Sequence, residues 1–106
     1  MSEFALTALR KAVAAGRIHW HQHALERMLE RNLSPAEVIE AINNGEVIEV
    51  YPADRPHASA LMLYSGAKPV HVVVAADPSA EICHVITAYR PDDKHFESDL
   101  RTRRKQ

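Results

Sequence analysis

The sequence contains little cysteine, little glycine and no long apolar run, and each shortage argues against a class of protein. Its one cysteine, Cys83, rules out a disulfide within the chain and indicates a reducing compartment. It has three glycines and no glycine-rich phosphate loop, which argues against a nucleotide-binding domain. Apolar runs such as 72–76 are too short to span a bilayer, and the first residues lack the pattern of a signal peptide. We therefore expect a soluble, cytoplasmic protein with no membrane association.

Length and charge indicate how the chain is organised. Its 106 residues fit a single domain. We expect an N-terminal helix within 1–16, the main α+β domain within 17–97 and a basic tail within 98–106. The net charge of −1 argues mildly against broad electrostatic attraction to nucleic acid, although a local basic patch can still hold a phosphate. Seven histidines in so short a chain invite a functional explanation.

Apolar spacing and capping signals predict three helices. Residues 3–15 place apolar side chains at helical intervals, and Gly16 suits the left-handed position that follows a helix. Residues 22–31 are strong helix formers with an apolar stripe. The segment 34–44 opens with a Ser-Pro-x-Glu capping box, and we expect it to end through a left-handed residue at Asn44-Gly45.

Beyond Gly45 the pattern becomes typical of strands. Strand-like segments bounded by turn residues are predicted at 46–51, 58–64, 69–76 and 81–89. Short connections between them favour antiparallel neighbours. The segment 17–21 is too short to classify and is compatible with an extended entry into the second helix. The predicted fold is α+β, with two to three N-terminal helices packed on an antiparallel sheet of about four strands.

One helix face carries a column of basic groups. His23, Arg27 and Arg31 follow one another at intervals of four residues, so they share a face of the second helix. Arginine forks and an imidazole suit a phosphate. The simpler interpretation is a solvated face whose arginines pair with neighbouring glutamates, and the spacing alone favours it.

Polar residues within the predicted strands form a second group of candidates. His71 lies inside an apolar strand, where it either bonds to a core partner or points into a cleft. His84 occupies a similar place in the next strand, where a structural role is the more common one. Tyr89 closes the last strand and either packs on the core, stacks on a base or donates to a phosphate.

Alternating histidines raise the question of a metal. On an extended segment His19, His21 and His23 would share one face, and zinc readily takes imidazole nitrogens. Because His23 is expected to begin a helix, the alternation is broken there, and no cysteine or carboxylate close by in sequence completes the set. The pattern therefore gives weak support for metal, and the site is predicted to hold none.

Several strings together resemble a known bacterial family. They are His23-Ala24-Leu25-Glu26-Arg27-Met28 with Arg31, Ser34-Pro35, Val38-Ile39-Glu40-Ala41-Ile42, Asn44-Gly45-Glu46-Val47-Ile48, Pro69-Val70-His71-Val72-Val73-Val74 and Ile86-Thr87-Ala88-Tyr89-Arg90-Pro91. Over roughly 18–97 the chain resembles the family catalogued as domain of unknown function 4258. One departure is Phe96, where many relatives carry tryptophan.

The resemblance implies a RelE-like fold, shared with barnase, EndoU and colicin nucleases, and a metal-independent toxin ribonuclease that needs no cofactor. The implied catalytic residues are His23, Arg27, His71 and Tyr89, with Arg31 and Arg90 binding substrate. In this scheme His23 transfers a proton while the 2′-hydroxyl attacks, and His71 is either the second acid or base or a donor to the phosphate. Arg27 and Arg31 stabilise the phosphorane, and Tyr89 orients the phosphate or stacks a base. The implied partners are RNA and an antitoxin of the zinc-finger or helix-turn-helix type.

Two other functions remain open on the sequence. The near-neutral charge is compatible with a non-enzymatic domain that docks on another protein, since a RelE-like fold does not itself confer ribonuclease activity. The other is a zinc-binding protein that uses the alternating histidines.

Overall fold

Three helices and five strands make up the part of the chain that the structure, a computed structural model, describes, residues 5–66 and 68–91. In chain order they are α1 (Leu6–Ala14), β1 (Ile18–Trp20), α2 (Gln22–Glu30), α3 (Pro35–Asn44), β2 (Glu46–Tyr51), β3 (Ser59–Tyr64), β4 (Val70–Asp77) and β5 (Ile82–Tyr89). The predicted α+β class is confirmed, and the three predicted helices and four predicted strands are all present. The predicted basic tail and Phe96 lie outside the described residues.

The helix ends follow from local chemistry. After α1, Gly16 takes a φ of 76°, as its position after the helix predicts. After α2, Asn32 takes the same left-handed role with a φ of 55°, which the sequence analysis did not assign to it. At the start of α3, the Ser34 hydroxyl accepts a hydrogen bond from the Glu37 backbone N–H at 3.2 Å. The predicted capping signal is confirmed.

The end of α3 differs from the prediction. Gly45 has φ −83° and ψ −174°, which is extended backbone and not the expected left-handed conformation. Its lack of a side chain serves a close approach instead. A Cβ at this position would lie 2.4 Å from the Ala41 carbonyl oxygen and 2.7 Å from that of Leu63. Glycine is needed here because α3 passes directly into β2 against the neighbouring strand.

The sheet has five strands in the order β1-β5-β4-β3-β2, so the prediction of about four antiparallel strands is corrected. The additional strand is β1, which lies between α1 and α2 and pairs in parallel with β5. Backbone hydrogen bonds from Cys83 N–H to the Arg17 carbonyl (2.9 Å) and from His21 N–H to the Val85 carbonyl (3.2 Å) hold it there. Three residues are too few to show a strand period, and a parallel partner 65 positions away gives no local signal (Ile18 pairs with Cys83).

All three helices pack on one face of the sheet, called here the helical face. The core there combines Leu9, Ala12, Val13, Ala24, Met28, Leu33, Val38, Ala41 and Ile42 with Met62, Val70, Val72, Val74, Ala76, Cys83, Val85 and Ala88 from the strands. The opposite, second face carries the alternate strand residues, among them Leu61, Leu63 and His71, which are also buried. No helix among the described residues is long and apolar enough to cross a membrane.

A β-bulge in β5 decides which of its residues reach the second face. Val73 pairs with Thr87 and Val74 pairs with Val85, so Ile86 is left as the extra residue. On one side of the bulge His84 lies opposite Ala75, and on the other side Tyr89 lies opposite His71. The bulge therefore separates two stretches of β5 that both direct polar side chains to the second face.

Candidate functional site

Three histidines meet where β1 lies beside β5. The parallel register places His19 directly beside His84, on the second face. His21, two residues after His19, is the N-cap of α2 and retains extended backbone dihedrals. Ring centroids are 4.8 Å apart for His19 and His21, 5.3 Å for His19 and His84, and 5.4 Å for His21 and His84. We call these three residues the first triad.

The nitrogen atoms of the first triad converge. One ring nitrogen from each of His19, His21 and His84 lies within 4.8 Å of the other two. The closest approach joins Nε2 of His21 to Nδ1 of His84 at 3.2 Å. His19 is exposed and the other two are half-buried, so the cluster opens to solvent.

A second triad shares His84 with the first. His57 lies in the loop between β2 and β3, and Asp77 is the last residue of β4. The Nε2 atom of His57 lies 3.5 Å from Oδ2 of Asp77, and its ring stacks on that of His84 with centroids 6.1 Å apart. One donor atom from each of His57, Asp77 and His84 lies within 4.8 Å of the other two.

Local hydrogen bonds fix the elements that carry the second triad. The hydroxyl of Ser59, the first residue of β3, donates to the Asp54 carboxylate in the preceding loop, and the Arg55 guanidinium donates to three carbonyls of that loop. After β4, Oδ1 of Asp77 accepts hydrogen bonds from the backbone N–H groups of Ser79 and Ala80, with a nitrogen-to-oxygen distance of 3.1 Å in each. The turn therefore holds one carboxylate oxygen and leaves Oδ2 directed at His57.

The surroundings of His84 favour its neutral form. Burial lowers the pKa of its imidazole, and the neighbouring His21, His19 and His57 lower it further, while Asp77 acts in the opposite direction. Neutral imidazole is the form that binds metals.

The three alternating histidines, which the sequence offered as a weakly supported metal set, do not all meet in the structure. His19 and His21 are part of the site, but His23 lies on the exposed surface of α2 and is not in either triad. His84, judged structural from the sequence, takes the third place. The sequence analysis missed the pairing of β1 with β5, because a strand of three residues has no recognisable sequence pattern.

The residues predicted to form a nuclease site are not all brought together. His23 and Arg27 are exposed on α2, whose buried residues Ala24 and Met28 pack on the helical face. His71 lies on the second face, fully buried, with Nδ1 3.3 Å from the Tyr89 hydroxyl. The pair on α2 and the pair on the second face thus lie on different sides of the sheet. The catalytic role of all four residues stays a prediction.

The two predicted substrate-binding arginines do share a cleft. Arg31, Arg90 and Lys68 line a cavity of about 780 Å³ near the start of α3. The Arg90 guanidinium also forms an ion pair with Glu37. That contact lowers the pKa of the Glu37 carboxyl. The cleft thus offers three cationic side chains, one of which has an internal carboxylate partner.

The fold and the cluster together define a small α+β domain with a mixed sheet and a histidine-rich edge. The chain belongs to the family described as Domain of unknown function (DUF4258), whose model matches residues 20–90. The resemblance noted in the sequence is thereby confirmed at the level of the family. No curated protein and no solved structure shows significant similarity to the chain. The matched segment includes His21, His57, Asp77 and His84, while His19 lies immediately before it.

Proposed function

We propose that this protein binds a divalent transition metal ion, of which Zn²⁺ is the best fit, through His19, His21 and His84. The observation that supports the proposal is the convergence of three imidazole nitrogens within 4.8 Å of one another, contributed by β1, the N-cap of α2 and β5. Imidazole ligands suit zinc, copper and nickel, whereas magnesium and calcium prefer oxygen.

The spacing of the nitrogens fits a tetrahedral ion. With Zn–N bonds of about 2.0–2.1 Å, two nitrogen ligands of one tetrahedral zinc lie about 3.3–3.4 Å apart. The 3.2 Å between His21 and His84 is close to that value. His19 is exposed, so its ring can rotate toward the other two nitrogens at little cost.

Three protein ligands leave one position of a tetrahedral ion for water or substrate. That is the arrangement of catalytic zinc sites, where the metal lowers the pKa of bound water to about 7 or polarises an oxygen of the substrate. The half-exposed cluster gives such a position access to solvent. The simpler alternative is a structural cluster that binds no metal, in which the three imidazole rings only hydrogen-bond with one another.

The decisive experiment is titration of chelator-treated protein with Co²⁺ and Zn²⁺, followed by visible absorption and calorimetry. We expect a Kd below about 1 μM and the absorption bands of tetrahedral Co²⁺. His84→Ala should weaken binding by about 100-fold or more, whereas His23→Ala, a histidine just outside the triad, should leave it unchanged. Equal binding by His84→Ala and the unchanged protein would refute the proposal.

A second candidate function is the RelE-like toxin ribonuclease that the family resemblance implies. The observation in its favour is the cleft lined by Arg31, Lys68 and Arg90, since three cations in one cavity suit an RNA phosphate. An antitoxin partner belongs to this proposal. If no RNA is cleaved, the alternative is a non-enzymatic domain that docks on another protein.

RNA degradation in the presence of EDTA tests this candidate separately from metal binding. We expect His23→Ala and His71→Ala to slow cleavage by about 10²–10⁴-fold if both transfer protons. Arg31→Ala should weaken RNA binding with a reduced dependence on salt. Cleavage at the original rate in both histidine variants would remove them from the mechanism.

A further inference from the structure

His84 and the donor groups around it number five, one more than the four ligands of a tetrahedral zinc ion. His19 and His21 approach it from β1 and its end, while His57 and Asp77 approach it from the loop before β3 and the end of β4. Within residues 5–66 and 68–91 these donors converge as two triads that share His84, and not as one group of five.

The second triad has the composition of a metal site in its own right. Two imidazoles and a carboxylate form a set that binds iron, zinc and related ions. Asp77 is already oriented, because the backbone N–H groups of Ser79 and Ala80 hold its Oδ1 atom and leave Oδ2 facing His57. Such support of a ligating carboxylate is a common feature around metal ions.

The shared residue is suited to two ions. An imidazole has two ring nitrogens, and Nδ1 of His84 is the one that approaches His21 at 3.2 Å. A second ion would then bind Nε2, the other nitrogen of the same ring. The stacked ring of His57 and the carboxylate of Asp77 lie around the same side chain and complete that set.

We propose that His84 bridges two divalent transition metal ions, one held with His19 and His21, the other with His57 and Asp77. This inference rests on the proposed metal-binding function and extends it to a binuclear centre. Each ion forms one coordinate bond to a nitrogen of the His84 ring. The second ion displaces the ring's remaining N–H proton, which passes to solvent, so the bridge is an imidazolate and metal loading releases that proton.

The stoichiometry of binding tests the bridge. Titration of the chelator-treated full chain with Zn²⁺, read by calorimetry and by elemental analysis after desalting, should give two ions per chain. The double variant His19→Ala/His21→Ala should bind one ion, and Asp77→Asn should bind one. His84→Ala should weaken both sites by about 100-fold or more.

Two features keep the test specific. Asp77→Asn retains an oxygen that can accept the hydrogen bonds of the turn, so the fold is preserved, which circular dichroism checks. Asp54→Asn changes a carboxylate in the loop that carries His57 but outside both triads, and it should still bind two ions.

The outcomes separate this inference from the proposed function. One ion per chain that Asp77→Asn leaves intact overturns the bridge while the first triad stands. One ion that is lost equally in the double variant and in Asp77→Asn indicates a single shared ion and also overturns the bridge. No tight binding by the unchanged chain overturns both proposals.

Discussion

The Nε2 atom of His21 lies 3.2 Å from the Nδ1 atom of His84, across the boundary between β1 and β5. Two imidazole nitrogens at this distance share either one proton or one metal cation. If both nitrogens carried protons on charged rings they would repel each other, and if neither carried a proton no hydrogen bond would form between them. The contact ties the start of α2 to the strand on which it packs. Whatever occupies this position therefore links elements that are 63 residues apart.

Metal binding at the first triad should stabilise the fold. An ion that binds only the folded state at 100 times its Kd raises the free energy of unfolding by about 2.7 kcal/mol. With an unfolding entropy of about 2.1 cal/mol/K per residue, this corresponds to a rise in Tm of about 12 °C. Differential scanning calorimetry with Zn²⁺ and with EDTA measures it. A similar rise in His84→Ala would mean that the ion acts elsewhere.

Gly45→Ala should be strongly destabilising. The added Cβ would meet the carbonyl oxygens of Ala41 and Leu63 at 2.4 and 2.7 Å, and neither backbone atom can move without disturbing α3 or β3. We expect a loss of about 2–3 kcal/mol, measured by urea denaturation.

Gly16→Ala is the matched control for that change. No atom lies within 4 Å of a Cβ at this position, but its φ of 76° is strained for alanine. The expected loss is about 1 kcal/mol. A larger loss at Gly16 than at Gly45 would contradict the steric explanation.

The hydroxyl of Tyr89 should contribute to stability through His71. His71 is fully buried, and its Nδ1 atom lies 3.3 Å from that hydroxyl. Tyr89→Phe removes this one contact and keeps the ring, so we expect a loss of about 1–2 kcal/mol in chemical denaturation. Tyr64→Phe, at a half-buried ring at the end of β3, should cost less than about 0.5 kcal/mol. Equal costs would show that the hydroxyl of Tyr89 is not an effective partner.

The ion pair between Glu37 and Arg90 should make stability depend on pH in the acid range. The guanidinium lowers the pKa of the carboxyl below its usual 4.5, so the folded state favours the ionised form. The stabilisation that the ion pair gives the folded state is complete above pH 4.5, the pKa of the carboxyl in the unfolded chain. It is lost as the pH falls through the lowered pKa of the folded state. Glu37→Gln should therefore destabilise the protein at pH 7 and have little effect in strong acid.

Glu40→Gln on the same helix is the control for the charge change. Glu40 is exposed and has no ion pair among the described residues, so its replacement should have the same small effect at both pH values. Denaturation curves of both variants at pH 7 and pH 2.5 provide the comparison. A Glu37→Gln effect that grows as the pH falls would have the wrong sign for this ion pair.

Most of the fold was predictable because its signals are local. The capping box at Ser34, the glycine after α1 and the change of period beyond Gly45 each arise from residues within a few positions of one another. The strand β1 was not predictable, because its three residues gain their conformation from hydrogen bonds to β5. The conformation of Gly45 was missed because the close approach of Leu63 is a tertiary contact.

The site was only partly predictable for the same reason. The sequence drew attention to His19 and His21 by their alternation, but it also offered His23, which the start of α2 turns away. His84, His57 and Asp77 join them through strand register and loop geometry, which no spacing in the sequence encodes. A cluster built from four separate segments becomes visible only when the strand order is known.

The extra residue at Ile86 has a consequence for how this protein can change. Side chains of a regular strand alternate between faces, so His84 and Tyr89, separated by an odd number of positions, would lie on opposite sides without the bulge. Deleting Ile86 would restore ordinary pairing and leave His84 and Tyr89 four positions apart, so the imidazole and the phenol would both stay on the second face. The strand can therefore lose this one residue without moving either polar side chain to the other face, whereas a regular strand of the present length could not keep both there.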